Sequence, residues 1–216
     1  MIKKRQNQIK INTFVGNLSQ YAWQCQHFQS IKRSTWNNVK MSLEKIKNEI
    51  RTIPDYPQKG IIFRDLTTVF KNAESLNFLA NLMYEEYKNK GITKIVGIES
   101  RGFIMGPILA TKLNAGFVPI RKKGKLPAET IRESYSKEYG IDTIEIHKDA
   151  LNENDIVLIH DDLLATGGTM QAAYNLVKKF NVKEIYMNFI IELSALNGRK
   201  NMDEEINDKI KSFISF

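Results

Sequence analysis

The chain has a single cysteine, Cys25, and only three histidines, so it lacks the side chains for a disulfide framework or a zinc cluster. It also has no run that approaches the roughly 20 consecutive apolar residues of a membrane-spanning helix. Hydrophobic residues still make up 42% of its 216 residues, enough to form a buried core. These features argue against a disulfide-stapled or membrane protein and predict one soluble, cytoplasmic domain with some decoration.

Acidic residues are absent from residues 1–43, which contain seven lysines and arginines. Because the whole chain has a formal net charge of +8, the remainder carries only +1, and the basic composition gives no argument for nucleic-acid binding. Residues 1–40 are also rich in Asn, Gln and Ser, without a hydrophobic period. We expect a basic, disordered extension over 1–40, or a true start at Met41, with a transit peptide as the alternative. The functional domain would then span 41–216.

From Met41 onward the hydrophobic pattern becomes regular. Apolar residues at helical spacing predict helices over 42–51, 73–90, 102–113 and 169–179. Short apolar runs predict strands over 94–99, 117–120, 143–147, 156–160 and 184–193. This alternation predicts an α/β domain with a mostly parallel central sheet flanked by helices.

Residues 156–169, IVLIHDDLLATGGT, show the most specific chemical pattern. A buried strand is expected to end at Asp161 and Asp162, where ligands of open α/β sheets bind. The next loop opens a helix, whose free N–H groups can hold a phosphate, and its glycines allow a close approach. The adjacent carboxylates can accept hydrogen bonds from a ribose diol. The pattern predicts a phosphate site formed by Ala165, Thr166, Gly167, Gly168 and Thr169.

This segment resembles the phosphoribosyl-pyrophosphate motif of type I phosphoribosyltransferases, and over about residues 44–200 the chain resembles the adenine phosphoribosyltransferases. The matching segments are IPDYPQKGIIFRDLT (53–67), GIESRGFIMG (97–106), IRKKGKLP (120–127), SYSKEYG (134–140) and DDLLATGGT (161–169). The resemblance implies the type I phosphoribosyltransferase fold, with a small N-terminal hood at about 53–70 and a mobile lid loop at about 124–142. It also implies purine salvage: AMP and diphosphate from adenine and phosphoribosyl pyrophosphate, by a homodimer. Mg²⁺ would be held mainly by the substrate diphosphate and water, without a metal site made by the protein alone.

The resemblance also implies roles for individual residues. In the lid, Glu138 would carry the purine proton and Tyr139 would shield the site. Asp161 and Asp162 would hold the ribose near the cationic centre of the transition state. Adenine would lie against Ile62, Phe63 and Arg64. Phosphoribosyl pyrophosphate would contact Ser100, Arg101, Arg121, Lys122, Lys125, Asp161, Asp162, Ala165, Thr166, Gly167, Gly168 and Thr169.

Several alternatives remain open at this stage. Without the resemblance, each segment has a purely structural alternative. The loop at 165–169 is also typical of a helix cap, and 121–125 of a solvated basic run. The stretch 128–142 is also typical of a surface hairpin, and 61–65 of an edge strand. His160 stands where the family usually has an aliphatic residue, and is either a core-edge histidine with a backbone partner or a group tuned into the site. Another type I transferase acting on xanthine, hypoxanthine or orotate is a second possible function. A non-catalytic regulator that senses phosphoribosyl pyrophosphate is a third, although no helix-turn-helix segment precedes the domain.

Overall fold

The computed structural model describes residues 42–137 and 140–216. The expected extension over 1–40 and the predicted lid residues Glu138 and Tyr139 lie outside this part of the chain. Residues from Leu43 to Phe216 belong to one compact unit. Among the described helices, none is long and apolar enough to cross a membrane.

The helices and strands alternate along most of the described chain. The first elements are α1 (Leu43–Glu49), β1 (Arg51–Pro54), β2 (Ile62–Asp65), α2 (Thr67–Phe70) and α3 (Ala73–Tyr87). They are followed by β3 (Lys94–Ile98), α4 (Gly102–Leu113), β4 (Gly116–Lys122), β5 (Thr130–Lys137), β6 (Gly140–His147), β7 (Ile156–Leu164), α5 (Gly168–Lys178), β8 (Glu184–Glu192) and β9 (Ile210–Ser215). Short 3₁₀ helices at Ser194–Leu196, Gly198–Asn201 and Glu204–Lys209 connect β8 to β9.

Seven strands of the described chain form one sheet in the order β5-β6-β4-β3-β7-β8-β9. Strand β3 pairs in parallel with both β4 and β7, and β7, β8 and β9 continue in parallel. The predicted mostly parallel sheet is therefore confirmed. Because β4 and β7 lie on opposite sides of β3, a crevice opens at the carboxyl ends of these three strands, where α/β sheets bind ligands.

The central strands are buried almost continuously, as expected for parallel strands with both faces covered. Helix α4 packs on β3, β4 and β7, and helix α5 packs on β5, β6 and β7. The ring of Phe117 fills the space left by two glycines, since a Cβ at Gly97 or Gly106 would lie 2.7 Å from it. The two glycines therefore let α4 pack closely on β3 and β4, next to the crevice.

Several predicted boundaries differ from the observed ones. The first helix ends at Glu49 instead of continuing to residue 51, because the next residues enter β1 and pair with β2. Most of the segment 124–142, in which no strand was predicted, belongs to the antiparallel hairpin β5–β6, which pairs with β4. Its polar residues hid the strand pattern, and the strand predicted at 143–147 is consequently antiparallel. Strand β7 also continues through both aspartates to Leu164.

His160 is completely buried in β7, as a core residue. Its Nδ1 lies 2.5 Å from Oδ1 of Asn188 on β8, so its partner is a side chain as well as the expected backbone. Burial disfavours the imidazolium and lowers the pKa of His160 to about 4. The ring is therefore neutral in the folded protein at neutral pH.

This buried imidazole should make stability depend on pH. Between about pH 6.5 and pH 4 the unfolded chain binds a proton that the folded chain does not, so the free energy of unfolding falls as pH falls, by at most about 3 kcal/mol. His160→Gln keeps a polar partner for Asn188 but does not titrate. We expect its stability to fall less steeply than that of the wild type over this range in denaturant unfolding. Parallel curves for the two proteins would contradict this origin of the pH dependence.

Candidate active site

The carboxyl ends of β3, β4 and β7 line one open cleft of about 410 Å³. A neighbouring pocket of about 230 Å³ shares several of its residues and extends toward Thr169 at the start of α5. Three segments singled out from the sequence therefore meet in space. The larger cleft is lined by Glu99, Ser100, Arg101, Lys122, Asp161 and Asp162.

The two aspartates form a like-charge pair with very different surroundings. Asp162 is buried, and its Oδ2 lies 3.0 Å from Nε of Arg101, in an ion pair that is not aligned as a hydrogen bond. Asp161 Oδ1 accepts the backbone N–H of Asp162 at 2.9 Å. Burial, together with the charge of Asp162, raises the pKa of Asp161 well above its ordinary value. The pair therefore offers oxygen acceptors to a ligand, and in the free protein ionisation of both aspartates at once is unfavourable.

Arg121 is held over the cleft by a carboxylate. Its Nε and Nη2 each lie 3.2 Å from a different oxygen of Glu99, and the N–H of Lys122 donates to the same carboxylate. The Arg121 hydrogen bond is the largest of the contacts that hold the pKa of Glu99 below its ordinary value, and the charge of Lys125 contributes. The acid at position 99 thus fixes the direction of the Arg121 side chain at the end of β4. The peptide bond between Glu99 and Ser100 is cis.

The predicted phosphate loop lies at the amino end of α5. Gly167 immediately precedes the helix and has a φ of +87°, a conformation in which glycine is favoured. A Cβ on Gly167 would lie 2.4 Å from the carbonyl oxygen of Gly198, and Asn201 Nδ2 donates to the Thr166 carbonyl at 2.9 Å. The 3₁₀ helix Gly198–Asn201 therefore packs against the loop and supports it. The first N–H groups of α5 make no intrahelical bond and can bind an anion.

Phe63, in the segment predicted to form the hood, approaches the Asp162 side of the cleft. The guanidinium of Arg101, which pairs with Asp162, lies 5.4 Å from the ring centroid of Phe63 in β2. Phe63 itself packs edge-on against Tyr56 at 5.3 Å. The Arg64 side chain contacts the Phe216 ring at 4.0 Å and donates to Thr52 Oγ1 at 2.5 Å. Ile62 is 54% exposed.

Sequence reasoning missed three residues that organise this site. Thr169 Oγ1 donates to the hydroxyl of Tyr135, which ties the β5–β6 hairpin to the phosphate loop. Asn201 supports the same loop, and Glu145 accepts hydrogen bonds from the basic turn after β4. Tyr135 lies in the segment SYSKEYG, but no local pattern showed these three contacts, because each joins segments that are distant in sequence. The predicted residues Glu138 and Tyr139 fall in the two-residue gap between β5 and β6.

Comparison with known proteins agrees with this geometry. The family model of the phosphoribosyl transferase domain matches residues 65–215. An adenine phosphoribosyltransferase of Bacteroides fragilis is 65% identical over 175 residues, which cover 81% of this chain and 98% of the relative. The crystal structure of the Rhodothermus marinus adenine phosphoribosyltransferase superposes with a TM-score of 0.76, at 48% identity, covering 81% of this chain and 98% of that one. The Giardia lamblia enzyme, solved with 9-deazaadenine, gives 0.78 at 42% identity, covering 82% and 99%.

The parallel sheet, the crevice and the loop at α5 define a phosphoribosyltransferase of type I, and the matched domain covers more than half of the chain. The length and identity of the matches narrow this class further. The chain belongs to the adenine phosphoribosyltransferase family. The resemblance and the fold class inferred from the sequence are thereby confirmed.

Gly167→Ala tests the phosphate loop. The substitution combines a left-handed conformation, which costs about 1–2 kcal/mol for other residues, with a contact that the Gly198 backbone cannot relieve. We expect a lower melting temperature and roughly a tenfold rise in the KM for phosphoribosyl pyrophosphate. Gly91→Ala is the matched control, because its φ is +67° but its Cβ would meet only Ile156 at 3.5 Å. An equal rise in KM in both variants would contradict the assignment of the loop.

Proposed function

We propose that this chain transfers the phosphoribosyl group of 5-phospho-α-D-ribose 1-diphosphate to adenine, forming AMP and diphosphate in purine salvage. The observation that carries the proposal is the meeting, in one cleft and its neighbouring pocket, of two adjacent carboxylates, the start of the phosphate loop at Thr169 and several cations. Each part suits one portion of this substrate. The neighbouring hood adds an aromatic surface for the base.

The loop and the carboxylate pair would hold the two ends of the ribose phosphate. The N–H groups at the start of α5, with the hydroxyls of Thr166 and Thr169, suit the 5′-phosphate. Asp161 and Asp162 suit the two ribose hydroxyls, since a carboxylate accepts such bonds strongly. As the bond from the anomeric carbon to the diphosphate breaks, positive charge builds on the sugar, and the adjacent carboxylates stabilise it.

The cations around the cleft would bind the leaving diphosphate. Arg121 and Lys122 line the cleft or its neighbouring pocket, Arg101 lies beside Asp162, and the charge of Lys125 acts on Glu99. The backbone at Ser100 lines the same space. Mg²⁺ would arrive with the diphosphate and be held mainly by it and by water, since the described residues contain no group of three acidic, histidine or cysteine side chains that could hold a metal ion. Such an ion, when bound, offsets charge on the leaving group.

The hood would bind the base. Phe63 offers a flat aromatic face next to Arg101, with Ile62 beside it, and the backbone of Arg64 reads the purine edge. A ring nitrogen of adenine then forms the new bond to the anomeric carbon, on the face opposite to the departing diphosphate. Glu138 takes up the purine proton, and Tyr139 covers the site when the lid at about 124–142 closes. Exclusion of water prevents hydrolysis of the sugar diphosphate.

We propose the same organisation for the rest of the protein as the family resemblance implies. Residues 41–216 form the catalytic domain, with the hood at about 53–70, and residues 1–40 are a non-catalytic extension. The catalytic domain works as a homodimer in the cytoplasm. Its nearly neutral charge outside residues 1–43 gives nucleic acid no basic face to bind.

The proposed reaction can be tested by measuring AMP formation from adenine and phosphoribosyl pyrophosphate with Mg²⁺. Hypoxanthine, guanine, xanthine and orotate serve as alternative acceptors in parallel assays. We expect turnover with adenine and little with the other bases, because the hood reads the adenine edge. Equal turnover of another base would refute the specificity. Binding of phosphoribosyl pyrophosphate without any turnover would instead support a regulator.

Asp161→Asn tests the carboxylate pair through opposite effects on activity and stability. The amide keeps an acceptor for the Asp162 N–H but removes one of two adjacent like charges. We expect turnover to fall about a hundredfold, as for loss of a strong transition-state contact of about 3 kcal/mol. The melting temperature should rise, and more at pH 8 than at pH 5, because a folded-state pKa raised above the unfolded-state value makes the stability of the wild type fall as pH rises from one pKa to the other. A lower melting temperature with normal turnover would mean that Asp161 only caps the loop.

A further inference from the structure

Glu145 is a completely buried carboxylate on β6 that is not among the residues lining the cleft. Its side chain accepts hydrogen bonds from five donors. Oε1 accepts the backbone N–H groups of Gly124, Lys125 and Leu126 at 2.8, 3.1 and 3.2 Å. Oε2 accepts Thr130 Oγ1 at 3.3 Å and Arg132 Nε at 3.0 Å. A buried ion with this many partners is stable only as part of a built arrangement.

The three backbone donors belong to the turn that follows β4. Gly124 has a φ of +80°, which lets consecutive N–H groups converge on one point, as in the backbone nests that bind anions. Here the anion in the nest is the protein's own carboxylate. The turn closes further through Lys125 N–H to the Lys122 carbonyl at 3.2 Å and Arg121 Nη1 to the Lys125 carbonyl at 3.1 Å.

The register of the sheet explains how Glu145 reaches this turn. Strand β6 runs antiparallel to β4, and Glu145 stands directly across from Arg121. On its other side Glu145 faces Arg132 of β5. Burial opposes ionisation, but the Arg132 guanidinium and the three N–H donors outweigh it and hold the pKa of Glu145 below its ordinary value. The carboxylate therefore stays charged at neutral pH and links three strands to the turn.

We infer that Glu145 is the positioning residue of the diphosphate site: it fixes the turn so that the side chains of Arg121, Lys122 and Lys125 converge where the leaving diphosphate binds. It acts through the backbone of the turn and does not touch the substrate. This role deepens the proposed function and rests on it. Substrate groups held elsewhere, such as the 5′-phosphate at α5, should be insensitive to Glu145.

A merely structural role would have a different consequence. If Glu145 only stabilised the hairpin, its loss would lower the melting temperature and reduce the affinity for every ligand in proportion to the folded fraction. If it positions the cations, its loss should weaken ligands that contain the diphosphate and spare those that lack it. Phosphoribosyl pyrophosphate and AMP form such a pair, since both contain a ribose 5-phosphate and only the former has a diphosphate.

The test uses the full-length protein with Glu145→Gln, which keeps the size of the side chain but loses the charge and places an amide donor near Arg132. We expect the KM for phosphoribosyl pyrophosphate to rise about tenfold, the effect of a contact worth about 1.4 kcal/mol. The Kd for AMP, measured by calorimetry, should change less than about twofold on the same scale. The wild-type assay for AMP formation separates the two proposals, because an inactive wild type overturns the proposed function. If the wild type is active but the variant has the same KM for phosphoribosyl pyrophosphate as the wild type, the positioning role is overturned.

Asp155→Asn is the matched control. Asp155 is also a buried carboxylate that organises a turn, accepting Asn152 N–H at 2.9 Å and Thr93 Oγ1 at 2.7 Å, but it precedes β7 at the opposite end of the sheet. We expect Asp155→Asn to lower the melting temperature without changing the ratio of the KM for phosphoribosyl pyrophosphate to the Kd for AMP. If Glu145→Gln does not fold, Glu145→Asp retains the charge but cannot reach both the turn and Arg132, and the same selective loss is expected. A parallel loss of both affinities in either Glu145 variant would overturn the inference.

Discussion

The enforced proximity of two carboxylates at the end of β7 is the constraint on which the rest of the site depends. Asp161 and Asp162 are neighbours in a strand, and partial burial together with the charge of Asp162 makes ionisation of Asp161 unfavourable in the free protein. The fold accommodates the pair by placing Arg101 beside it. It also brings α4 close, since a Cβ on Gly102 would lie 2.6 Å from the His160 carbonyl. The backbone of β7 and α4 thus packs closely around the two aspartates. Their charges are less unfavourable with a ligand bound than in the free protein.

The cations of the cleft are held in the same manner, each by an acid that fixes its direction before substrate arrives. Asp162 faces Arg101, Glu99 faces Arg121, and Glu145 fixes the turn that contains the lysines. In the proposed reaction, such preorganisation means that little rearrangement is needed when charge moves onto the diphosphate. The acids also lessen repulsion among the cations in the free protein. The cleft is therefore a network of paired charges, and the substrate enters it as a further anion.

Sequence reasoning found the elements that have a strong local signal and missed those that depend on distant contacts. The apolar runs of β3, β7 and β8 and the loop before α5 were predictable, because burial and glycine chemistry are visible in the sequence. The end of β7 was placed too early because Asp161 resembles the start of a loop. The burial of Glu145 could not be predicted, since an acid between two isoleucines fits a solvent-facing strand position equally well. The contact of Gly167 with Gly198 joins segments that no local pattern connects.

The central claim is that the carboxylate pair makes the transfer of the phosphoribosyl group possible without being needed for the fold. The most direct measurement is the rate of AMP synthesis by the double variant Asp161→Asn with Asp162→Asn, together with its circular dichroism and melting temperature. The account predicts a folded protein in which AMP synthesis is almost abolished, because the ribose hydroxyls and the cationic transition state have lost their charged acceptors. Near-normal AMP synthesis by the folded double variant would contradict it.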